Sequence, residues 1–372
     1  AGRCSGTRGC SRGAGNRLID STMAGDRPIA GEDDRAWRLA LAVVLASVAV
    51  RLVLAGLVPL FPDETYYWEW SRRPAASYFD HPPAIPAVIA FGTALFGDTR
   101  IGVRFGATLL SLVGSLAAIA LARRLGGGRA AVIAAVALAV MPMAAAGLLL
   151  ATPDAPLLAA FAVGTWALVR AAEKEPGSLS EIGWWCVTGL ALGAALLSKY
   201  TAVLLPAGAA LGLLLDPRLR RRLRTPGPWI GLGLGLAAVS PVILWNAEFG
   251  WPSFAFQLDH GLGGSPSNAG PAVRLLGAVN RELEYVGGQL GLVSPILFVL
   301  IGIAALRALR GGVRGLGDSR QTVLAGIALV VFGTFALSAL RRHVEPNWPA
   351  PAYVAGVVLL ATAVWQDRGR RW

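Results

Sequence analysis

Residues 61–104 read FPDETYYWEWSRRPAASYFDHPPAIPAVIAFGTALFGDTRIGVR. The stretch begins where a long apolar segment ends. It holds adjacent carboxylates (Asp63, Glu64), an aromatic-rich short helix, a turn from Asp80 to Pro83, and a further acid, Asp98. One reading inside it decides the topology of the rest. Residues 83–97 are apolar but number only about 15, whereas a helix needs about 20 apolar residues to cross a bilayer. They are therefore predicted as an interfacial helix packed on the outer face, with Pro82-Pro83 suited to its start. Counting them as a span would reverse every later loop and put the basic run PRLRRRLRT (217–225) outside.

Working outward, 55% of residues are hydrophobic and 15% are charged. Apolar runs recur at roughly 37–60, 100–122, 129–150, 154–171, 183–198, 200–215, 228–245, 285–306, 321–340 and 350–366. The expected class is an all-α integral membrane protein with about ten transmembrane helices and extracytoplasmic interfacial helices. The net charge of +12 does not point to nucleic acid, because the arginines cluster in short loops between apolar runs. Residues 1–35 are expected to be a disordered N-terminal segment and 36–372 the multi-span membrane domain. Residues 1–22 lack the apolar core of a signal peptide, and Met23 is a plausible natural start. Cys4, Cys10 and Cys186 have no zinc-like spacing and suggest no disulfide framework.

With the N-terminus cytoplasmic, the inner loops hold 17 Lys/Arg and the outer loops 9. That bias predicts both termini inside a cell membrane. All three histidines and most of the candidate residues for chemistry then fall on the outer side.

The candidates for chemistry each have a plain structural alternative. Asp63 and Glu64 can supply a general base at the rim of a half-buried cavity, or simply occupy a first helical turn favoured by the dipole. Asp154 either caps the fourth span or converges on the same cavity. Lys199 either complements a helix C-terminus and snorkels to the interface or contacts a phosphate. Arg104, about a turn inside the second span, needs a phosphate or carboxylate partner. Tyr66, Tyr67 and their aromatic neighbours suit a membrane interface, and one or two can line a sugar site. Asp80-His81 and Asp259-His260 combine metal-ligating residue types without a fixed spacing. A divalent metal is possible but not expected, and His81 before two prolines shapes a turn.

At these residues the chain resembles a known family. An acidic pair after the first span, then D-E-x-Y-Y-x-x-W, F-D-H-P-P and A-L-F-G-D, is similar to bacterial members of the dolichyl-phosphate-mannose protein mannosyltransferase-like superfamily. These are the glycosyltransferase family 39/83 proteins, including aminoarabinose lipid A transferases. TPDAP (152–156), LSKYT (197–201), ILWN (243–246), WPSFAFQLDHG (251–261) and VEPNWPAPAY (344–353) fit in order, so the resemblance covers about 37–366. It implies a type C glycosyltransferase fold with an extracytoplasmic active site. The donor would be a polyprenyl-phosphate-linked sugar and the acceptor an envelope glycolipid, polysaccharide or protein, with inversion at the anomeric carbon. It also implies Asp63 as base, Asp154 as the second loop acid and Lys199 near the donor phosphate; Tyr66, Tyr67, Arg104, Asp80, His81 and His260 complete the substrate-binding candidates. Two departures stand out. Many relatives carry a larger C-terminal extracytoplasmic part, while this sequence stops soon after the tenth span, so loops alone handle the acceptor or the sequence is truncated. Asp63 followed by Glu64 leaves two candidates for the base.

Two other classes compete. A transporter or flippase suits ten spans, but it places ionisable groups and broken helices near the midplane, whereas the acids here sit at one rim. A non-catalytic scaffold subunit does not account for that clustering.

Overall fold

The computed structural model describes residues 30–263 and 270–367, and all regular structure among them is helical. In chain order, α1 (Ala30–Leu57) precedes two short helices, α2 (Pro62–Ser71) and α3 (Ala84–Phe96). The long α4 (Arg100–Val140), the short α5 (Pro142–Gly147), α6 (Asp154–Ala172) and α7 (Leu179–Leu196) follow. A 3-10 turn over Tyr200–Val203 leads into α8 (Leu204–Leu215), then α9 (Pro226–Glu248) and α10 (Pro252–Leu262). The remainder is α11 (Pro271–Val293), α12 (Pro295–Val313), α13 (Ser319–Ala339) and α14 (Ala350–Asp367). The starts are written locally. Thr99, Ser178 and Asp318 accept backbone N–H groups at the heads of α4, α7 and α13. Proline opens α2, α9, α10, α11 and α12, where its missing N–H costs nothing.

Among the described residues, seven helices are long and apolar enough to cross a membrane: α1, α4, α6, α7, α9, α12 and α13. Residues 84–96, 200–215 and 350–365 form shorter apolar helices. The ten predicted spans are therefore not matched one to one. Spans 100–122 and 129–150 lie in the continuous 41-residue α4, which turns at Gly127 with φ 75°, a conformation open to glycine. Beyond that turn the second arm packs back on the first, so that Ser111 and Ala118 share a cavity wall with Leu138 and Met141. The predicted span 285–306 is split. Ser294 takes φ 92° between α11 and α12, and Pro295 cannot continue the preceding ladder. Residues 83–97 yield a 13-residue helix, about 20 Å long at 1.5 Å per residue and short of a 30 Å hydrocarbon core.

Small residues set the close helix contacts, as apolar surroundings favour. Gly208 and Gly212 of α8 lie against the backbone of Ile327 and Val323 in α13, with no room for a Cβ at either glycine. Gly189 of α7 meets Gly231 of α9 in the same way.

One end of the bundle is laced by ion pairs. Arg123 in α4 holds Asp33 (2.8 Å) and Asp34 (2.9 Å), Arg129 holds Glu32 (3.0 Å), and Glu173 binds both Arg124 (2.9 Å) and Arg320 (3.0 Å). Residues 30–35, expected to be disordered, are thus the first turns of α1, fixed by arginines the local sequence does not reveal. The rest of the predicted disordered segment lies outside the described residues. Residues 61–104 lie at the opposite end, where α2, α3, α10 and the α13–α14 connection gather.

Candidate active site

The head of α2 is built around Glu64. Its Oε2 accepts the Phe61 N–H (2.9 Å) and its Oε1 accepts the Ala151 N–H (3.0 Å) from the connection before α6. The same two oxygens accept Arg104 Nη2 (2.5 Å) and Nε (2.7 Å). Arg104 spends its remaining donors on the carbonyls of Val58 (2.8 Å), Pro59 (2.9 Å) and Ala55 (3.3 Å), where α1 ends. Both side chains are completely buried. The partner expected for Arg104 is thus a carboxylate, not a phosphate. With its oxygens filled and no path to solvent, Glu64 does not fit the role of base, and Arg104 does not fit that of headgroup ligand. The physical reason is the closed ring of backbone groups around the pair.

Asp154 is the first residue of α6 but does not cap it. Its carboxylate instead receives Lys199 Nζ (2.8 Å on Oδ1) and Asn347 Nδ2 (2.6 Å on Oδ2). Asp154 and Lys199 are each 9% exposed. Lys199 follows the end of α7 and Asn347 lies between α13 and α14, so three distant segments meet on one carboxylate.

Lys199 also lines a cavity of about 630 Å³. Its lining combines Asp80, His81, Gln257, His260 and Trp348 with the apolar Leu204, Leu236, Val239 and Ile243. Tyr66 donates to Asp80 Oδ2 (2.9 Å), and Gln257 donates to the Asp80 carbonyl (2.6 Å). His260 stacks on Phe256 (5.4 Å) and approaches Trp348 (5.3 Å). The turn bearing Asp80 is held by Ser253, which donates to the Tyr78 carbonyl (3.0 Å) and pairs with the Tyr200 hydroxyl (2.7 Å). Asn246 Oδ1 in turn accepts the Ser253 N–H (3.1 Å).

Asp63 is exposed on α2 and is not among the residues lining this cavity. It is linked to the site through Tyr67, whose phenol is pushed up by burial and by the carboxylates of Asp63, Asp154 and Asp80, in that order. Three acids of the sequence reading thus act on one buried phenol. The Tyr66 phenol is raised to about 12 by burial and by Asp80. His81 is held down at about 3, chiefly by burial and then by Lys199, with Asp154 opposing. It is a neutral imidazole, and its Nδ1 is buried without a hydrogen-bond partner among the described residues. The Asp-His pairs do not assemble as metal ligands: Asp259 is taken by Arg342 (3.0 Å), and no group of three or more His, Cys, Asp or Glu among the described residues could hold an ion.

Asn347, Gln257 and Trp348 were not among the sequence candidates. A polar residue wedged in the proline- and tryptophan-rich EPNWP (345–349) was the available signal for Asn347.

Comparison with known proteins agrees with this architecture. The profile of the dolichyl-phosphate-mannose-protein mannosyltransferase family matches residues 80–245. The chain is 28% identical over 333 residues to the lipid A galacturonosyltransferase RgtD of Rhizobium johnstonii, covering 88% of this chain and 65% of that protein. It is 29% identical over 217 residues to the undecaprenyl phosphate-alpha-4-amino-4-deoxy-L-arabinose arabinosyl transferase of Edwardsiella ictaluri, covering 53% of this chain and 38% of the relative. The crystal structure of ArnT from Cupriavidus metallidurans bound to undecaprenyl phosphate superposes with a TM-score of 0.67 at 23% identity, over 87% of this chain and 60% of that one. The chain therefore spans less than two thirds of the length of these relatives. By these matches the chain is similar to the dolichyl-phosphate-mannose-protein mannosyltransferases over residues 80–245, and it shares the helical fold of ArnT.

Proposed function

We propose that the protein moves a sugar from a polyprenyl-phosphate donor to a cell-envelope acceptor of the lipid A, polysaccharide or protein class. The observation that carries this reading is the cavity of about 630 Å³ whose lining joins Lys199 to apolar side chains of α8 and α9. An amphiphile with a phosphate at one end and an isoprenoid chain at the other matches that polarity. The match to an undecaprenyl-phosphate-bound fold and the names of the sequence relatives support the same class. A transporter is less well supported, because Glu64, Arg104, Asp154 and Lys199 gather at one end of the helices, whereas transporters place such groups near the midplane. The loop-charge bias supports a cytoplasmic location for both termini and an extracytoplasmic site.

In this mechanism the acceptor hydroxyl attacks the anomeric carbon while Asp63 takes its proton. The bond from that carbon to the phosphate oxygen breaks, and polyprenyl phosphate leaves with the electron pair. Lys199 stabilises the departing phosphate in a poorly hydrated site, and Asp154 with Asn347 aims the ammonium. A single displacement inverts the anomeric centre. Glu64 and Arg104 fix the head of α2 so that the adjacent Asp63 faces outward. Tyr66, Asp80, His81 and His260 surround the sugar.

The test is release of free undecaprenyl phosphate, read by mass spectrometry. Lipid-reconstituted protein is given a panel of undecaprenyl-phosphate sugars with envelope extract as acceptor, alongside Asp63→Asn. Release by the wild type that is lost in the variant is expected. Release unaffected by Asp63→Asn moves the base elsewhere, and no release with any donor, in folded protein, removes the transferase reading.

A further inference from the structure

The segment 341–349 reaches the site through Asn347, whose amide donates to Asp154, and Trp348, which lines the cavity. Around Asn347 its backbone makes two short-range bonds: Trp348 N–H donates to the Glu345 carbonyl and Ala350 N–H to the Asn347 carbonyl, 3.0 Å each. The residue between them, Pro346, is gripped from outside. Gln289 of α11 is completely buried, and its Nε2 donates to the Pro346 carbonyl (3.0 Å). The other end of that amide, Oε1, accepts the Tyr353 hydroxyl of α14 (2.8 Å). Gly288, the preceding residue of α11, faces the Pro346 ring so closely that a Cβ there would stand 2.9 Å from Pro346 Cβ. A buried amide satisfied at both ends and a glycine that lets the helix touch a proline ring are two independent features aimed at one peptide. The α11 backbone is itself anchored, through Tyr285 to the Phe332 carbonyl (3.1 Å) and Arg281 to the Leu340 carbonyl (2.8 Å).

We infer that α11 is a positioning element for the reaction: Gly288 and Gln289 set the placement of Pro346 so that Asn347 meets Asp154 and, through it, aims Lys199. The inference rests on the transferase reading for its kinetic consequence but not for its structural one. Neither residue lines the cavity, so their effect on Asp154 and Lys199 passes through Asn347.

The experiment uses the full chain in lipid, with Gln289→Leu, Gly288→Ala, Asn347→Ala and the double variant Gln289→Leu/Asn347→Ala. Gly288→Ala displaces Pro346 without leaving a polar group unpaired, and so covers the case in which Gln289→Leu fails to fold. Hydrogen exchange of the amides of Trp348 and Ala350 is read first and needs no turnover; it is expected to quicken in Gly288→Ala and Gln289→Leu. Turnover of undecaprenyl-phosphate sugar is read second. In both single variants kcat is expected to fall about tenfold, the weight of one hydrogen bond to a charged group, with the donor KM within about twofold. The double variant is expected to be no slower than Asn347→Ala, since both changes break one chain of contacts. Unchanged exchange overturns the inference whatever the wild type does. Losses that multiply in the double variant, or a wild-type kcat in variants with faster exchange, also overturn it. A wild type that never turns over removes the transferase reading and leaves the exchange result to decide the positioning.

Discussion

Glu64→Gln separates the two adjacent acids. Glutamine keeps one oxygen, which can still accept from Arg104 Nε and the Ala151 N–H, now bonded at 2.7 and 3.0 Å. Its new NH2 then faces Arg104 Nη2 and the Phe61 N–H, both donors, so half of the four bonds to this side chain are lost. The guanidinium, completely buried, keeps the amide oxygen and backbone carbonyls as partners but no carboxylate. Removing one member of a buried pair costs about 3–5 kcal/mol. At the few degrees per kcal/mol typical of folded domains, and less for long chains, the melting temperature in lipid or detergent should fall on the order of 5–10 °C. Replacing both members by Leu and Met should not restore it, because five backbone groups (Ala55, Val58, Pro59, Phe61 and Ala151) also lose their partners, each at about 1–3 kcal/mol if it stays dry. Differential scanning fluorimetry of the two variants beside Asp63→Asn is the assay. Asp63 is exposed, so Asp63→Asn should melt with the wild type. A Glu64→Gln protein that melts with the wild type yet has lost transfer would refute this division of roles and make Glu64 the reacting acid.

Three further outcomes are expected. His81 sits at about 3 in the fold against an ordinary 6.5, so the unfolded chain takes its proton first and the stability present above about pH 6.5 is lost as the pH falls toward 3, with a slope of at most about 1.4 kcal/mol per pH unit. His81→Gln should flatten the melting temperature between pH 7 and 5, and equal slopes would contradict the assignment. Lys199→Met should lower transfer by a factor of about 10² or more and weaken binding of undecaprenyl phosphate by calorimetry; undiminished binding argues against a phosphate contact. Gly208→Leu drives a side chain into the Ile327 backbone of α13 and should cost about 1–3 kcal/mol or more, seen as a lower melting temperature; an unchanged one would show that α8 and α13 separate freely.

Hydropathy reads length and polarity, and those properties made the membrane class and the shortness of α3 legible. It averages over a full span, so the apolar window 285–306 hid the break at Ser294, for which Pro295 was the only local sign. Partnerships were less accessible still. Glu64 and Arg104 are 40 residues apart, Asp154 and Lys199 are 45, and Asp154 and Asn347 are 193; periodicity assigns faces, not partners. Adjacent residues on a helix point about 100° apart, so only one of Asp63 and Glu64 could turn into the bundle. The packing of α2 against α3 and α4, invisible in the local pattern, decides that it is Glu64. Asn347 was legible only as an isolated amide among prolines.

The Glu64–Arg104 pair also bears on how the chain is made. Arg104 belongs to the first turns of α4, and an unpaired arginine within a span is costly, up to about 2.5–3.5 kcal/mol at its centre. The carbonyls that receive it, those of Ala55, Val58 and Pro59, close α1, which is synthesised first. The C-terminal end of α1 is therefore a receptor for a charge that emerges some 45 residues later, and Glu64 is synthesised between the two. The last turn of α1 thus gains its full set of partners only once α4 has packed against it.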